Sequence, residues 1–475
     1  MSTINPNAVV DRTAKITRSV LYENVYVGKN SVLDGCIICE NAKIGSDCLI
    51  PRGCIVGADS IIEDGAVFGD GIIVTNGVYI GKGVSVMKNV YSNEVKTRLF
   101  DSDLGVGGIY GANFDISDAV YLGQSLCTQQ KKGERAKIGV MCGDNGFSRI
   151  LAGVTIGGVR FGGGDCIDLG DGFLSLCAFS AREFLLDYAI FVDVDQEFDI
   201  AISVFDSEGL LLSREGQRRL ERVFFRRGEA QSYPRDAETL EESQNPKSVY
   251  ASALTALVKE LAGFKLSIKT TNSPSEILRE ALNKCGADVK TNTDGDIFDL
   301  SDNGLYLSAV TKSGKKVSFW HFLCLALGES VKNGKSIVAI PQYAPLSLVR
   351  YLESFGAKIE YYSDSETDNR KLIGSQNRLF DAGMLAMICL NILHRRSKDL
   401  DQMLAELPAF YIKEINVAVD EDKKAERARG LREECSDTAH GLAFVYGNGR
   451  VCVSASNGNF FKLFGTRKRT STEFY

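Results

Sequence analysis

The sequence predicts a coil of short, stacked parallel strands followed by a larger body in which strands alternate with helices. Apolar residues recur at a six-residue period through the first hundred positions. From about Leu99 the spacing changes to strand-length apolar runs separated by helix-length ones, the mark of sheets covered on both faces. A chain of 475 residues, 44% hydrophobic and 24% charged, is also long enough to bury several separate cores.

In the coil, Val20, Tyr26, Val32, Ile38, Ile44, Ile50, Val56, Ile62, Phe68, Val74 and Ile80 fall at every sixth position, which makes an internal repeat. The next residue is often glycine or acidic (Gly45, Gly57, Glu63, Gly69, Gly81), and a small residue commonly sits four places on (Ala42, Cys48, Cys54, Ser60, Ala66). The large residue fills an interior while the small one and the glycine permit a tight corner, so successive turns stack into one core. The pattern resembles the hexapeptide-repeat family, whose three rungs make one triangular turn of a left-handed parallel β-helix. That resemblance assigns residues 1–95 to such a coil.

Hexapeptide proteins are often acyltransferases with a histidine general base, chemistry that needs an imidazole of near-neutral pKa. The coil has no histidine; His321, His394 and His440 all lie downstream, singly placed, and read as structural or surface groups. The coil is therefore expected to be a rigid spacer or oligomerisation element, and the chain a homo-oligomer through it. Cys36 and Cys39 form a CxxC inside a repeat without a second ligand pair, so they read as packing and not as a metal site.

In the body, Asp103-Leu-Gly-Val-Gly-Gly-Ile-Tyr-Gly111 is a glycine loop followed by a helical stretch, Ser117 to Gln129. Ala136-Lys-Ile-Gly-Val-Met-Cys-Gly143 reads as a strand entering a loop at Asp144 to Ser148, Gly164-Asp-Cys-Ile-Asp-Leu-Gly170 as a second strand, and Phe205-Asp-Ser-Glu-Gly209 as a strand end. These segments resemble the phosphohexomutases, the family of phosphoglucomutases and phosphomannomutases, over about four fifths of the chain. The resemblance implies an α/β domain at 99–227, a linker at 228–247 rich in Glu, Ser, Gln and Pro, an abbreviated second domain at 248–318, a third α/β domain at 319–400 and a final α+β domain at 401–475. Later elements expected from it are a strand at Leu266 to Lys269, helices at Ser275 to Cys285 and Ser347 to Phe355, and a strand at Ser336 to Ile340.

Mutase chemistry requires a phosphorylated serine, a magnesium ion and fixed cations for the sugar phosphate. The resemblance implies where each would stand. The family's TASHNP falls on Phe191 to Gln196, so Asp193 occupies the phosphoserine position, either as a turn carboxylate facing water or as a mimic of phosphoserine's charge. The three-aspartate magnesium loop appears as Asp299-Leu-Ser-Asp-Asn-Gly304, where Asp299 is the only retained ligand position; neighbouring Asp294 and Asp296 read either as further ligands or as a surface turn. The loop at Asp144 to Ser148 is short and lacks the family arginine, and the acidic sugar-gripping loop is reduced to Gly374-Ser-Gln-Asn377. The phosphate-cradling RPSGTEP matches Ser454-Ala-Ser-Asn-Gly-Asn-Phe460, in which Ser456 alone is kept as a substrate-binding candidate.

Bulk properties narrow the setting. A formal charge of −6 and a pI near 5.5 provide no basic field for nucleic acid or an anionic membrane. Arginines at 218/219, 226/227 and 467 to 469 read as solvated faces or a tail, as does the mixed-charge stretch Asp420 to Glu434. Neither a leader nor a membrane anchor is expected: Met1 to Ile16 is polar, and the apolar run Ala382 to Leu393 is short of the ~20 residues a span needs. Thirteen scattered cysteines suit reduced thiols in the cytoplasm. Coil followed by mutase-like body is also the order in fused proteins resembling mannose-1-phosphate guanylyltransferase, although no nucleotide-binding segment is expected here. The expectation is a non-catalytic phosphohexomutase-like regulator or scaffold in sugar-phosphate or sugar-nucleotide metabolism, with no cofactor and a sugar phosphate or sugar-nucleotide enzyme as partner. The alternative is an active hexose phosphomutase using Mg, or a guanylyltransferase-associated enzyme.

Overall fold

The computed structural model describes residues 2–90, 99–100, 104–110, 114–129, 135–196, 198–226, 241–242, 245–269, 271–290, 295–362, 369–410, 412–418, 442–446, 449–455 and 460–467. The first of these segments forms three five-stranded parallel sheets, the arrangement of a left-handed β-helix. One sheet is ordered β1 (Thr3–Ile4), β4 (Val20–Leu21), β7 (Ile37–Ile38), β10 (Ile55–Val56) and β13 (Ile73–Val74). Every third strand thus stacks on the one before, as a three-sided coil requires.

The six-residue period is not uniform along this coil. Ile38, Ile44, Ile50, Val56, Ile62, Phe68, Val74 and Ile80 point inward and are buried, as expected. Val20, Tyr26 and Val32 instead face outward, and their neighbours Leu21, Val27 and Leu33 fill the interior. A five-residue rung between Leu33 and Ile38, turned through Gly35 at φ +70°, accounts for the one-residue shift. The sequence conceals it because Val20-Leu21, Tyr26-Val27 and Val32-Leu33 are apolar at both positions, so either phase fits. Small residues are needed where turns meet: a Cβ on Gly45 or Gly57 would lie 2.6 Å or 2.5 Å from the next turn's backbone. Along one corner Asn24, Asn41 and Asp59 form a side-chain ladder with bonds of 3.2 Å and 3.0 Å, each holding positive φ. The coil's core ends on Val86, Val90 and Ile109 of the body, and Lys88 pairs with Asp199 across the join at 2.8 Å.

The body begins with a six-stranded sheet ordered β16 (Val106–Ile109), β20 (Asp199–Asp206), β19 (Tyr188–Val194), β17 (Lys137–Cys142), β18 (Asp165–Asp171) and β21 (Glu241–Glu242). This sheet is mixed, whereas the alternation of strands with helices in the sequence implies parallel sheets. β17, β18, β19 and β21 run parallel, but β20 is antiparallel to both neighbours because only residues 195–198 join it to β19, too few for a crossover. β21 comes from the 228–247 segment, most of which lies outside the described residues.

Helices α1 (Ile116–Cys127), α2 (Gly146–Phe161) and α4 (Arg214–Arg226) share one core with this sheet. On the other side, α3 (Leu174–Glu183) joins a second core that continues through α5 (Pro246–Ala256), α6 (Ser273–Lys284), α7 (Phe319–Lys332), α8 (Leu346–Glu353) and α10 (Ala382–Arg396). That core also holds a five-stranded sheet, β23 (Asp288–Lys290), β22 (Lys265–Ile268), β24 (Asp296–Leu300), β25 (Leu307–Val310) and β26 (Lys316–Val317), and a parallel pair, β27 (Ile337–Pro341) and β28 (Lys358–Tyr362). The apolar run from Ala382 is the buried helix α10; among the described residues no helix is long and apolar enough to cross a membrane. Two short helices, α9 (Arg370–Ser375) and α11 (Leu400–Glu406), flank α10 in sequence. The chain closes in an antiparallel sheet ordered β29 (Ile412–Ala418), β32 (Phe460–Arg467), β31 (Gly449–Ala455) and β30 (Leu442–Tyr446).

Candidate functional site

Asp193 lies in strand β19, opposite Ala201 of β20, and not in a turn. Its half-buried carboxylate faces the start of α2, where the Ser148 hydroxyl donates to Oδ1 at 3.1 Å and Asn145 Nδ2 lies 3.4 Å away. The same Ser148 oxygen accepts from the Val194 N–H at 2.8 Å, and Asn145 caps α2 through the Ser148 N–H at 2.8 Å. Gly143 completes the nest, since a Cβ there would lie 2.1 Å from Asp193 Oδ1. Through Oδ1 the Asp193 carboxylate thus anchors a strand end to a helix N-terminus. Asp171, at the end of β18, is held below the usual carboxylate range, chiefly by its hydrogen bond to Lys247, with Arg149 3.8 Å away.

Asp299, in β24, is paired with Lys269 at 2.9 Å. The following turn satisfies itself: the Ser301 hydroxyl donates to Asn303 Oδ1 at 2.7 Å and accepts from the Tyr306 N–H at 3.0 Å. Asp302 accepts from Asn272 at 2.7 Å. This donor set does not fit magnesium, because Asp299 is the one carboxylate at a ligand position and an ammonium already faces it, with a hydroxyl and an amide at the alternate positions. Asp296 is buried enough to push its carboxyl up and accepts from the Lys312 N–H, so it is a structural group; Asp294 lies outside the described residues.

The tip of that turn instead joins three parts of the body. Gly304, at φ +72°, packs so closely on Ser175 and Phe173 at the start of α3 that a Cβ would come within 2.4 Å of the Ser175 oxygen. Its neighbour's carbonyl, of Asn303, accepts from the Ser175 N–H at 3.0 Å, and its own accepts from the Ala382 N–H of α10 at 2.8 Å. Beneath it Asp381 caps α10 through the Met384 N–H at 2.8 Å and accepts from the buried Tyr250 hydroxyl. Burial drives the Asp381 carboxyl above its ordinary range against the opposing pull of Met384, Tyr250 and Ser175, and burial likewise raises Tyr250.

The segment Gly374 to Asn377, aligned by resemblance with a sugar-gripping loop, is also engaged in joining parts of the body. The Gly374 carbonyl accepts from Arg182 of α3 at 2.5 Å, and Asn377 donates to the Gly209 carbonyl at 2.9 Å. Gln376, buried, clasps both the N–H and the C=O of Ala339 in β27. Just upstream Arg370 pairs with Asp206 and donates to the Leu211 carbonyl, at 2.7 Å and 2.6 Å. Ser456 lies outside the described residues, as do His440 and the whole of the Asp420 to Glu434 stretch. His321 caps α7 with Ser318, its imidazole pushed down by burial, and His394 leans on Phe264.

The described contacts join neither Asp193 to Asp299 nor either of them to the 374–377 loop. Sequence reasoning missed the residues that do make contacts between distant parts of the body, namely Arg182, Asp206, Tyr250, Arg370 and Asp381. Only Asp381 carried a local signal, an aspartate before an apolar helical run.

A family model described as GMPPB C-terminal domain matches residues 1–76. The fold is similar to a phosphoglucomutase/phosphomannomutase family protein from Burkholderia thailandensis, with a TM-score of 0.63 at 14% identity over 78% of this chain and 93% of that one. It is similar also to a structure described as a phosphomannomutase from Thermus thermophilus, with a TM-score of 0.58 at 12% identity over 77% of this chain and 94% of that one. The third is the open form of pp63/parafusin, a phosphoglucomutase from Paramecium, with a TM-score of 0.53 at 9% identity over 74% and 86%. No curated protein sequence matches the chain. A coil whose first 76 residues match the GMPPB C-terminal domain thus precedes a body with the phosphoglucomutase/phosphomannomutase fold.

Proposed function

We propose that this chain is a non-catalytic, phosphohexomutase-like scaffold or regulator in sugar-phosphate or sugar-nucleotide metabolism. The observation that carries this reading is the use made of the loops that correspond to catalytic motifs. Asp193 ties β19 to α2, the 301–304 turn locks α3 to α10, and Gly374 and Asn377 fasten onto α3 and the 206–209 turn. Groups held this way serve cohesion between parts of the body. Phosphoryl transfer needs a nucleophile, a divalent cation and phosphate-binding cations together, and the segments aligned with those three parts are the ones engaged in these contacts.

In this reading the coil holds copies of the chain together, and a sugar phosphate or a sugar-nucleotide enzyme is the partner of the body. The setting is the cytoplasm, on the strength of thirteen cysteines without a disulfide spacing pattern. A phosphoenzyme is the species that separates scaffold from mutase. Intact mass spectrometry after incubation with glucose 1,6-bisphosphate and magnesium should show the unmodified chain; a stoichiometric phosphoryl adduct, lost on Asp193→Ala, would overturn the proposal.

A further inference from the structure

The three faces of the coil differ in one property that bears on association. On the face formed by β1, β4, β7, β10 and β13, the outward residues of the last four strands are Val20, Ile37, Ile55 and Ile73, stacked in register. Side chains two positions on share the face, and none in that second column, from Asn5 through Tyr22 and Cys39 to Thr75, is charged. Tyr22 is 49% exposed and Ile37 and Ile73 are 38% and 39% exposed, so the stripe lies open. The other two faces are interrupted by charge, Lys43 and Glu63 on one, Lys15 and Asp34 on the other. Depletion of charge from the centre of a patch, not apolarity as such, is what marks a protein interface.

We infer that this uncharged face is where two copies of the chain meet, coil against coil in opposite directions. The inference deepens the oligomer reading above and rests on it. A flat ladder of β-branched side chains packs best on a second ladder with the same strand spacing, which another copy supplies. A two-fold axis parallel to the strands sets Ile37 against Ile55 and Val20 against Ile73 of the other copy, so that no charge meets its like. Opposite directions also set the two bodies, each joined to its coil where Ile109 shares a core with Val86 and Val90, at opposite ends of the paired coils. Five strands at ~4.8 Å make the face roughly 24 Å long. With a width of roughly 15 Å it offers about half of the ~800 Å² that each partner gives to a standard interface, so the dimer is reversible and concentration-dependent.

Sedimentation velocity on the full chain, from low to high micromolar concentration, tests this. The wild type should pass from monomer to dimer. Ile37→Glu should raise the dissociation constant more than ~30-fold, because the carboxylate would be desolvated without a partner. Ile61→Glu, on a neighbouring face and equally exposed at 38%, should leave association unchanged. Ile37→Glu combined with Ile55→Lys should restore the dimer by setting opposite charges against each other. Circular dichroism on each variant checks that the coil is folded. A dimer indifferent to Ile37→Glu, or one equally lost on Ile61→Glu, would overturn this face while leaving self-association intact. A chain that stays monomeric throughout would overturn both, and a charge-paired variant that fails to associate would overturn the antiparallel pairing.

Discussion

Asp381 shows how a single buried group can link the protonation state of the chain to its cohesion. The folded chain holds the Asp381 proton more tightly than the unfolded chain does, because burial raises the carboxyl above its ordinary value of 3.8. Its favourable contribution is therefore complete below that value and is lost as pH rises through the raised one, beyond which the cost of a buried charge is in force. Asp381→Asn keeps an acceptor for the Met384 N–H and the Tyr250 hydroxyl without the charge. In urea unfolding, Asp381→Asn should gain on the wild type as pH is raised from acid to neutral, whereas Asp381→Ala should lose about 1–3 kcal/mol by removing cap and acceptor together. Arg370 belongs to the same scale. It and Asp206 are 19% and 20% exposed, and its second contact is a backbone carbonyl, so removal strands partners on another sheet. Arg370→Ala should cost about 2–4 kcal/mol, and a double-mutant cycle with Asp206→Asn should return a coupling of about 1–3 kcal/mol. None of this was legible beforehand, since Arg370 and Asp206 are separated by 164 residues and neither stands in a motif.

Among the elements, the coil was the most legible and also where a simple period misled. Eight of its inward positions, from Ile38 to Ile80, follow from an unbroken six-residue spacing. Rungs before and after Gly35 alike carry two adjacent apolar residues, so the spacing alone does not show the shift, and the five-residue rung sets which of the two faces inward. Leu33→Ala should therefore cost about 2–5 kcal/mol in thermal or urea unfolding, while Val32→Ala, facing outward, should cost well under 1 kcal/mol. Reversal of these two costs would restore the uniform period. Strand β20 was the other departure: a four-residue connection forces it antiparallel, and the same tight connection places Asp193 inside a strand instead of at the tip of a loop. The segment at 205–209 reads as a strand end and is one, but 191–196 reads as a turn and is the end of strand β19, because which way a side chain faces depends on pairing that no local pattern records.

For the whole molecule, the order of coil and body and the phosphoglucomutase/phosphomannomutase fold of the body were both readable, because hydrophobic spacing and glycine placement are local properties. The engagement of the segments aligned with catalytic motifs was not, because it lies in contacts between distant segments, such as Gly304 with Ser175 and Ala382, or Gly374 with Arg182. That these segments serve as fasteners between parts of the body is the central proposal. The measurement that tests it most directly is a coupled mutase assay on glucose 1-phosphate and mannose 1-phosphate with magnesium and a hexose bisphosphate, run beside a thermal-shift titration of the same sugars. The expected result is no turnover above the uncatalysed background, with a shift in melting temperature marking a sugar-phosphate sensor and no shift marking a scaffold. Magnesium-dependent turnover that disappears on Asp193→Ala or Asp299→Ala would contradict it, and would mean that the fasteners open.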